Sequence, residues 1–549
     1  MIGREFDLAV LAATAGVDED AVLDLLDPAL TAGVIVEGEE VERFRFTHAM
    51  VRDVVYAGLP AARRARRHAA TARTLEAIGA APSETARHWL AAGPAHAARA
   101  WRAAAEAAEH AVRLYAYDEA AALLAAALDA QRTDGSATPL DRYDLLMARA
   151  DACRWSVDRD SLDAALTEAA QEAERLGDIT RMAQAAVSSS EGALWLTRSY
   201  GQADHYMIAV LRRALRELPA GDEELRCRAL LVLATELYHT DAPAYRDALV
   251  EQGMAMARRI GDPGLLVWAC QAAFMATLRA ATAPYRLGLA EEAVAIAVEQ
   301  GDPIREALAR TLRVIVTSEL GMVAEMREEI RRLREIAEPR RLAYVLIVLT
   351  ELEPPWLAMQ GRFDEAERLI EQRRELVATA SLPQRDESMV SAPACVEVWR
   401  SGAAVVVPAF QALAAVSPMP FDLTIQWLLV RAGRLDEARA VRTELVPSTD
   451  DWLSIHHYCI AAEVAFALDE PAAARSLYRW LSPYAGRVCG AGFSVAIGPV
   501  DAFLAFAAMA TGERDVASKH ADRALELCAE WEIPLAAQWL REQRDRGGF

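Results

Sequence analysis

The chain has 549 residues, of which 53% are hydrophobic and 7% aromatic, and a formal net charge of −21 at pH 7. A single hydrophobic core stops growing at roughly 250–300 residues, so a chain of this length is either several domains or a solenoid. The negative charge is spread without a polyacidic tail and opposes general binding to nucleic acid or anionic membrane, which needs clustered cations.

Alanine supplies much of the apolar fraction, a balance that suits close helix packing better than a sheet sandwich. The only lysine is Lys519, and no G-x-x-x-x-G-K-[ST] occurs. The chain therefore lacks the lysine that reaches the β- and γ-phosphates in P-loop ATPases. Seven cysteines, at 153, 227, 270, 395, 459, 489 and 528, contain no CxxC pair, which points to buried thiols in a reducing, cytoplasmic setting rather than disulfides or zinc.

The start, MIGREFDLAVLAATAG, carries Glu5 and Asp7 where a signal peptide would need a basic region. Residues 7–15 and 20–32 read as two helices closed by Gly16 and Gly33. VIVEGEEVERFRF follows as two short alternating strands around a turn at Gly38. Then come THAMVRDVVYAGLP and AARRARRHAATARTLEAIG, the latter a basic linking helix.

Beyond residue 100 the punctuation is regular. Gly-Asp pairs begin at Gly177, Gly221, Gly261 and Gly301, with spacings of 44, 40 and 40 residues. Three of them, at Gly177, Gly261 and Gly301, follow amphipathic helical stretches, where glycine supplies a left-handed helix end and aspartate caps the next helix. A second mark is a glycine followed five residues later by alanine: Gly361 with Ala366, Gly433 with Ala438, and Gly512 with Ala517. Asp469 and Ala474 form a variant of it, and Pro483 closes that helix. The alanine lets two helices approach closely across a tight turn.

These segments resemble tetratricopeptide repeats, over about residues 100–546. The expected fold is all-α, a tetratricopeptide-like helical-hairpin superhelix with a small N-terminal partial winged-helix domain. The expected organisation is 1–62 winged helix, 63–100 basic linking helices and 101–549 repeat array. The uncharged stretch 401–421, interrupted by Pro408, Pro418 and Pro420, reads as buried helix and turn rather than a membrane span.

The run FRFTHAMVRDVVYAGLPAARRARRH resembles the end of the winged-helix domain in signal-transduction ATPases with numerous domains (STAND proteins), including large ATP-binding LuxR-type regulators and their actinobacterial relatives. In those proteins an ATPase module and winged helix precede an array that senses an inducer or partner. In related NB-ARC proteins a Met-His-Asp histidine touches the β-phosphate of ADP. His48 takes that place here, with Thr47 and Ala49 departing from the flanking Met and Asp. The plainer reading of His48 is a hydrogen-bonded structural residue.

The resemblance implies the carboxy-terminal part of a longer regulator or a shortened product that keeps the sensor and scaffold. An ATPase or cyclase-linked enzyme with its catalytic module upstream, and a plain assembly scaffold, are the rivals.

Arg63, Arg64, Arg66 and Arg67 could meet DNA phosphates, although four arginines on a helix more simply form a solvated or ion-paired face. Trp195, Tyr200, Tyr206, Tyr238 and Tyr245, with His239 among them, could line a concave groove for a peptide or small inducer; the alternative is aromatic core between stacked helices. His456 and His457 lack companion ligands for a metal, and GAGF at 490–493 is too short to cradle a phosphate and reads as part of a loop. The expectation is a non-enzyme with no cofactor or metal. It would bind a protein partner or small inducer without membrane or direct DNA contact, possibly as a homo-oligomer.

Overall fold

The computed structural model describes residues 3–240, 243–378, 380–446 and 450–549. It divides into two compact units: residues 1–156 with 161–178, and residues 157–160 with 179–549.

The first unit opens with a three-stranded antiparallel sheet in the order β1-β3-β2. Its elements are β1 (Glu5–Asp7), α1 (Leu8–Ala15), α2 (Glu19–Thr31), β2 (Ile35–Glu37) and β3 (Arg43–Phe46). Asp7 and Asp18 cap the two helices, and Gly16 and Gly33 adopt left-handed backbone after them. Phe6, Leu8, Val22, Ile35 and Phe44 bury the apolar faces together. This is the arrangement of a partial winged helix. Strand β1 was not expected from the sequence: three residues are too few to show alternation, and pairing with Arg43–Arg45 selects them.

Helices α3 (Ala49–Ala57), α4 (Ala61–Ala77), α5 (Pro82–Leu90), α6 (Ala97–Arg113), α7 (Tyr117–Gln131), α8 (Pro139–Trp155) and α9 (Arg159–Arg175) follow. From α4 to α8 each helix packs on its neighbour in sequence. Ala69, Ala72, Trp89 and Ala100 share one buried cluster, so the basic stretch is a packed member of this helical run.

The second unit consists of helical hairpins. Its helices are α10 (Ile179–Val187), α11 (His205–Glu217), α12 (Glu224–Glu236), α13 (Pro243–Ile260), α14 (Pro263–Ala276), α15 (Ala283–Gln300), α16 (Pro303–Leu320), α17 (Val323–Arg340), α18 (Ala343–Met359) and α19 (Phe363–Leu376). The chain continues through α20 (Arg385–Arg400), α21 (Val407–Ala414), α22 (Asp422–Arg431), α23 (Leu435–Ala440), α24 (Ser454–Leu468), α25 (Pro471–Leu481), α26 (Val500–Ala510), α27 (Arg514–Glu530) and α28 (Pro534–Gly547). Between α25 and α26 lies a hairpin of β4 (Val488–Ala491) and β5 (Val495–Pro499). Among the described residues no helix is long and apolar enough to cross a membrane.

The repeat punctuation works as its chemistry requires at Gly261 and Gly301 but not at Gly221, which is not left-handed and is followed by α12 without a side-chain cap. Gly261 and Gly301 are left-handed, and Asp262 and Asp302 accept hydrogen bonds from the first turns of α14 and α16. Ala366, Ala438, Ala474 and Ala517 are completely buried where paired helices touch.

Even-numbered helices form an inner layer, with contacts running α12 to α14 to α16 to α18 to α20 and then α22 to α24 to α26. Several are buried on nearly every face: Tyr344–Leu352 in α18 and Ser454–Ala465 in α24 are buried without interruption. The cause is the hairpin, whose strands pack on α16, α18, α20 and α24. The segment GRVCGAGFSVAIGP is thus a buried hairpin rather than the loop expected. A side chain at Gly490 would meet the Val495 carbonyl at 2.7 Å, so glycine permits the strand approach.

Long-range contacts close the unit. Arg327 donates to the Trp531 carbonyl at 2.9 Å and pairs with Glu532, while Arg487 donates to the Ala280 carbonyl at 2.7 Å. Gly321, at φ +75°, sits where a Cβ would lie 2.6 Å from the Trp531 ring. Gly433, at φ +72°, has nothing within 4 Å of such an atom. Gly433→Ala should therefore cost about 1–2 kcal/mol from left-handed backbone alone. Gly321→Ala adds overpacking, for a total of roughly 2–5 kcal/mol. Urea unfolding of both variants checks this, and equal losses would show that Trp531 does not press on Gly321.

Candidate functional site

Where the inner helices meet the β-hairpin, packing leaves an open-mouthed cavity of about 160 Å³. Phe274 of α14, Ile347 of α18, Phe410 of α21 and Trp427 of α22 contribute apolar wall, and Phe493 at the hairpin turn contributes another side.

The wall contains one buried polar cluster drawn from four elements. Glu351 of α18 pairs with Arg373 of α19 at 2.6 Å, and each side chain is about 5% exposed or less. The Arg373 guanidinium also donates to the Ser388 hydroxyl of α20. Burial pushes the Glu351 carboxyl above its ordinary range, opposed by Arg373 and by hydrogen bonds from Ser388 and Ser494. Such a pair gains little net stability over an apolar isostere, yet breaking it strands a buried charge at a cost of about 3–5 kcal/mol.

His456 of α24 also lines the wall. Burial, then His457 and Arg431, lower its pKa to about 3, so it is neutral near pH 7. Trp427 donates to Glu463 at 2.6 Å, and Arg431 pairs with the same carboxylate while lying 4.6 Å from the Trp427 ring centroid. Among the described residues no group of three or more His, Cys, Asp or Glu side chains converges as a metal would require. Cys395 lines the cavity, and burial pushes its thiol up to about 12.

The structure distributes the aromatic candidates unequally. Trp195 lines the cavity and stacks on Tyr344 with centroids 4.6 Å apart. Tyr200 and Tyr238 grip a segment of their own chain: the Tyr200 hydroxyl donates to Asp451 at 2.9 Å, and the Tyr238 oxygen accepts from the Trp452 backbone at 3.1 Å. The Tyr238 hydroxyl donates to the Leu278 carbonyl, and its ring carries the Arg246 guanidinium. His239 lies edge-on to Tyr238 and to Tyr200. Tyr206 is half-buried on α11, and Tyr245 is 47% exposed on α13. The expected open groove is therefore occupied in part by residues 451–452 and in part by the β-hairpin.

In the first unit His48 is exposed at the start of α3, and its side chain makes no capping bond. Arg63, Arg66 and Arg67 are exposed on α4, while Arg64 lies over the Tyr56 ring at 5.3 Å. Neither set lines the cavity. Sequence reasoning missed Glu351, Arg373, Ser388 and Trp452. The usable signal was Glu351 itself, a carboxylate inside the otherwise apolar run YVLIVLTEL.

No protein-family model matches the chain, and no curated protein matches it. Among solved structures it is similar to a signal transduction ATPase with numerous domains that carries a tetratricopeptide repeat sensor, from Pyrococcus horikoshii. The identity is 13% and the TM-score 0.35, over 87% of this chain and 61% of that one. The chain thus spans less than two thirds of the Pyrococcus protein. Human IFIT1, as a dimer with PPP-AAAA, is similar at 14% identity and TM-score 0.29, over 84% and 90% of the two chains. Yeast Tom70 is similar at 9% identity and TM-score 0.27, over 88% and 96%.

His456 makes the cavity wall sensitive to acid. Its folded pKa of about 3 lies below the ordinary 6.5, so the unfolded chain takes up the proton first. Its contribution is complete above pH 6.5 and is lost as pH falls towards 3, at about 1.4 kcal/mol per pH unit. His456→Gln should flatten the loss of stability between about pH 6 and pH 5 by roughly one proton. Denaturant titrations at each pH measure the slope, and an unchanged slope would mean that His456 titrates normally.

Proposed function

We propose that the chain is a non-catalytic regulatory module whose helical-repeat unit takes up a small inducer in the interior cavity and signals the bound state to a protein partner. The observation that carries this reading is the cavity itself, walled by residues from Leu194 to Ile497. An occupant would bridge α14, α18, α20, α22, α24 and the β-hairpin, so binding would order elements that are distant in sequence. The run FRFTHAMVRDVVYAGLP supports placing the module in a STAND-type, LuxR-like transcriptional regulator.

The non-catalytic reading is supported by how the reactive groups are engaged. Glu351 is committed to Arg373, and the Cys395 thiol is held protonated by burial. A ligand that binds only the folded chain stabilises it by mass action, by about 2.7 kcal/mol at a hundred times its dissociation constant.

Thermal unfolding with ATP, ADP and a metabolite panel should therefore show a shift with a metabolite and none with the nucleotides. The shift should vanish in Ser391→Trp, which fills the cavity from α20. A compound that shifts both proteins equally binds elsewhere, and a nucleotide shift abolished by the filling would overturn the sensor reading.

A further inference from the structure

The polar atoms that the cavity wall leaves without partners are donors. Arg373 Nε, Arg385 Nε and Trp452 Nε1 are buried with no hydrogen-bond partner, and all three residues line the cavity. None of these atoms can accept a hydrogen bond. His456 Nδ1 is likewise unpartnered, and its role follows the tautomer. Among the described residues of the wall, no unpartnered buried side-chain atom is an acceptor alone. An occupant that carries acceptors therefore satisfies groups that packing leaves unpaired.

Charge singles out Arg385, the first residue of α20. The other cation in the wall, Arg373, is paired with Glu351 and donates to Ser388. Among the described residues Arg385 has no side-chain ion pair or hydrogen bond. Glu387, the remaining carboxylate of the wall, accepts from the Ser417 hydroxyl at 2.5 Å. A guanidinium presents a planar fork of donors that matches a carboxylate. A second negative charge on the occupant would face Glu351 and Glu387, so the wall suits a monoanion better than a phosphate dianion.

The rest of the wall sets the body of the ligand. Phe274, Phe410, Phe421 and Trp427 line the same space, and aromatic faces and edges favour contact with another ring. At about 160 Å³ the cavity is close in size to the roughly 150 Å³ of an engineered apolar cavity that holds benzene.

We infer that this cavity binds a small aromatic monocarboxylate, its ring among the phenylalanines and Trp427 and its carboxylate on Arg385. The inference rests on the reading of the cavity as the inducer site and adds the ligand class to it.

Phenylacetate and phenylacetamide have nearly the same shape and differ in charge. Calorimetric titration of the full chain near neutral pH should give saturable phenylacetate binding at least about tenfold tighter than that of the amide, a factor equivalent to about 1.4 kcal/mol. Arg385→Gln should remove that preference and leave amide binding unchanged. Arg385→Lys, which keeps the charge and loses the fork, should retain part of it. Ser391→Trp and Thr424→Trp, which fill the cavity from α20 and α22, should abolish phenylacetate binding, with circular dichroism confirming retained helix. The Arg385 variants test the carboxylate argument even if a filling variant fails to fold.

Amide binding as tight as that of phenylacetate and blocked by the tryptophan fillings, or a preference that survives Arg385→Gln, would overturn the carboxylate on Arg385 while leaving the cavity as the ligand site. No binding of either probe at millimolar concentration would overturn the single-ring class. Binding of both probes that ignores both fillings would place them outside the cavity and overturn the inducer-site reading as well.

Discussion

The larger unit depends on the burial of its inner helices from all sides. A helix in an open repeat array needs one apolar stripe, because its other faces meet a partner helix or solvent. Here α14, α18, α24 and α26 are apolar almost all round, and that surface must be covered. The β4–β5 hairpin covers it from within the unit, and Trp531 packs at Gly321 to join the last helices to the middle of the unit. The cavity is what remains where hairpin, helices and the 451–453 segment fail to fill the enclosed space.

Closure also explains the pattern of buried charge. Glu351 with Arg373, Glu463 with Arg431 and Glu329 with Arg310 are all enclosed pairs between neighbouring helices. Each arginine offers a planar fork of donors that can serve a carboxylate and a further acceptor together. In a chain whose only lysine is Lys519, arginine carries this role throughout. Such pairs are poor sources of net stability but tolerate few alternative arrangements, because a shifted helix would strand a charge. The pair at Glu351 consequently holds α18 and α19 in register beside the cavity, with Ser388 adding α20.

The two units handle apolar surface differently. In the second unit the inner helices are enclosed. In the first, α3 has no buried residue, and Met50, Val54 and Val55 are 75%, 67% and 59% exposed. The winged-helix core is small and is complete without α3. The same composition thus yields an enclosed interior in one unit and an uncovered apolar helix in the other.

The amino-acid sequence by itself determined the helical repeat. Glycine at left-handed positions, aspartate caps and alanine at close helix contacts are local requirements, and Gly301 with Asp302 or Gly433 with Ala438 announces them without knowledge of any distant residue. The winged-helix helices and hairpin were legible for the same reason, whereas β1 was not, because its only signal is a partner 38 residues away.

The site was legible in one residue of the five aromatics, Trp195. Whether an aromatic such as Tyr238 lines a groove or holds Trp452, more than 200 residues on, depends on the path of the array rather than on neighbours in sequence. The joining of Glu351, Arg373, Ser388 and Ser494 likewise exists only after α18, α19, α20 and the hairpin have packed. Tertiary structure alone decided the cavity, because an unfilled volume belongs to the fit between surfaces and to no single segment.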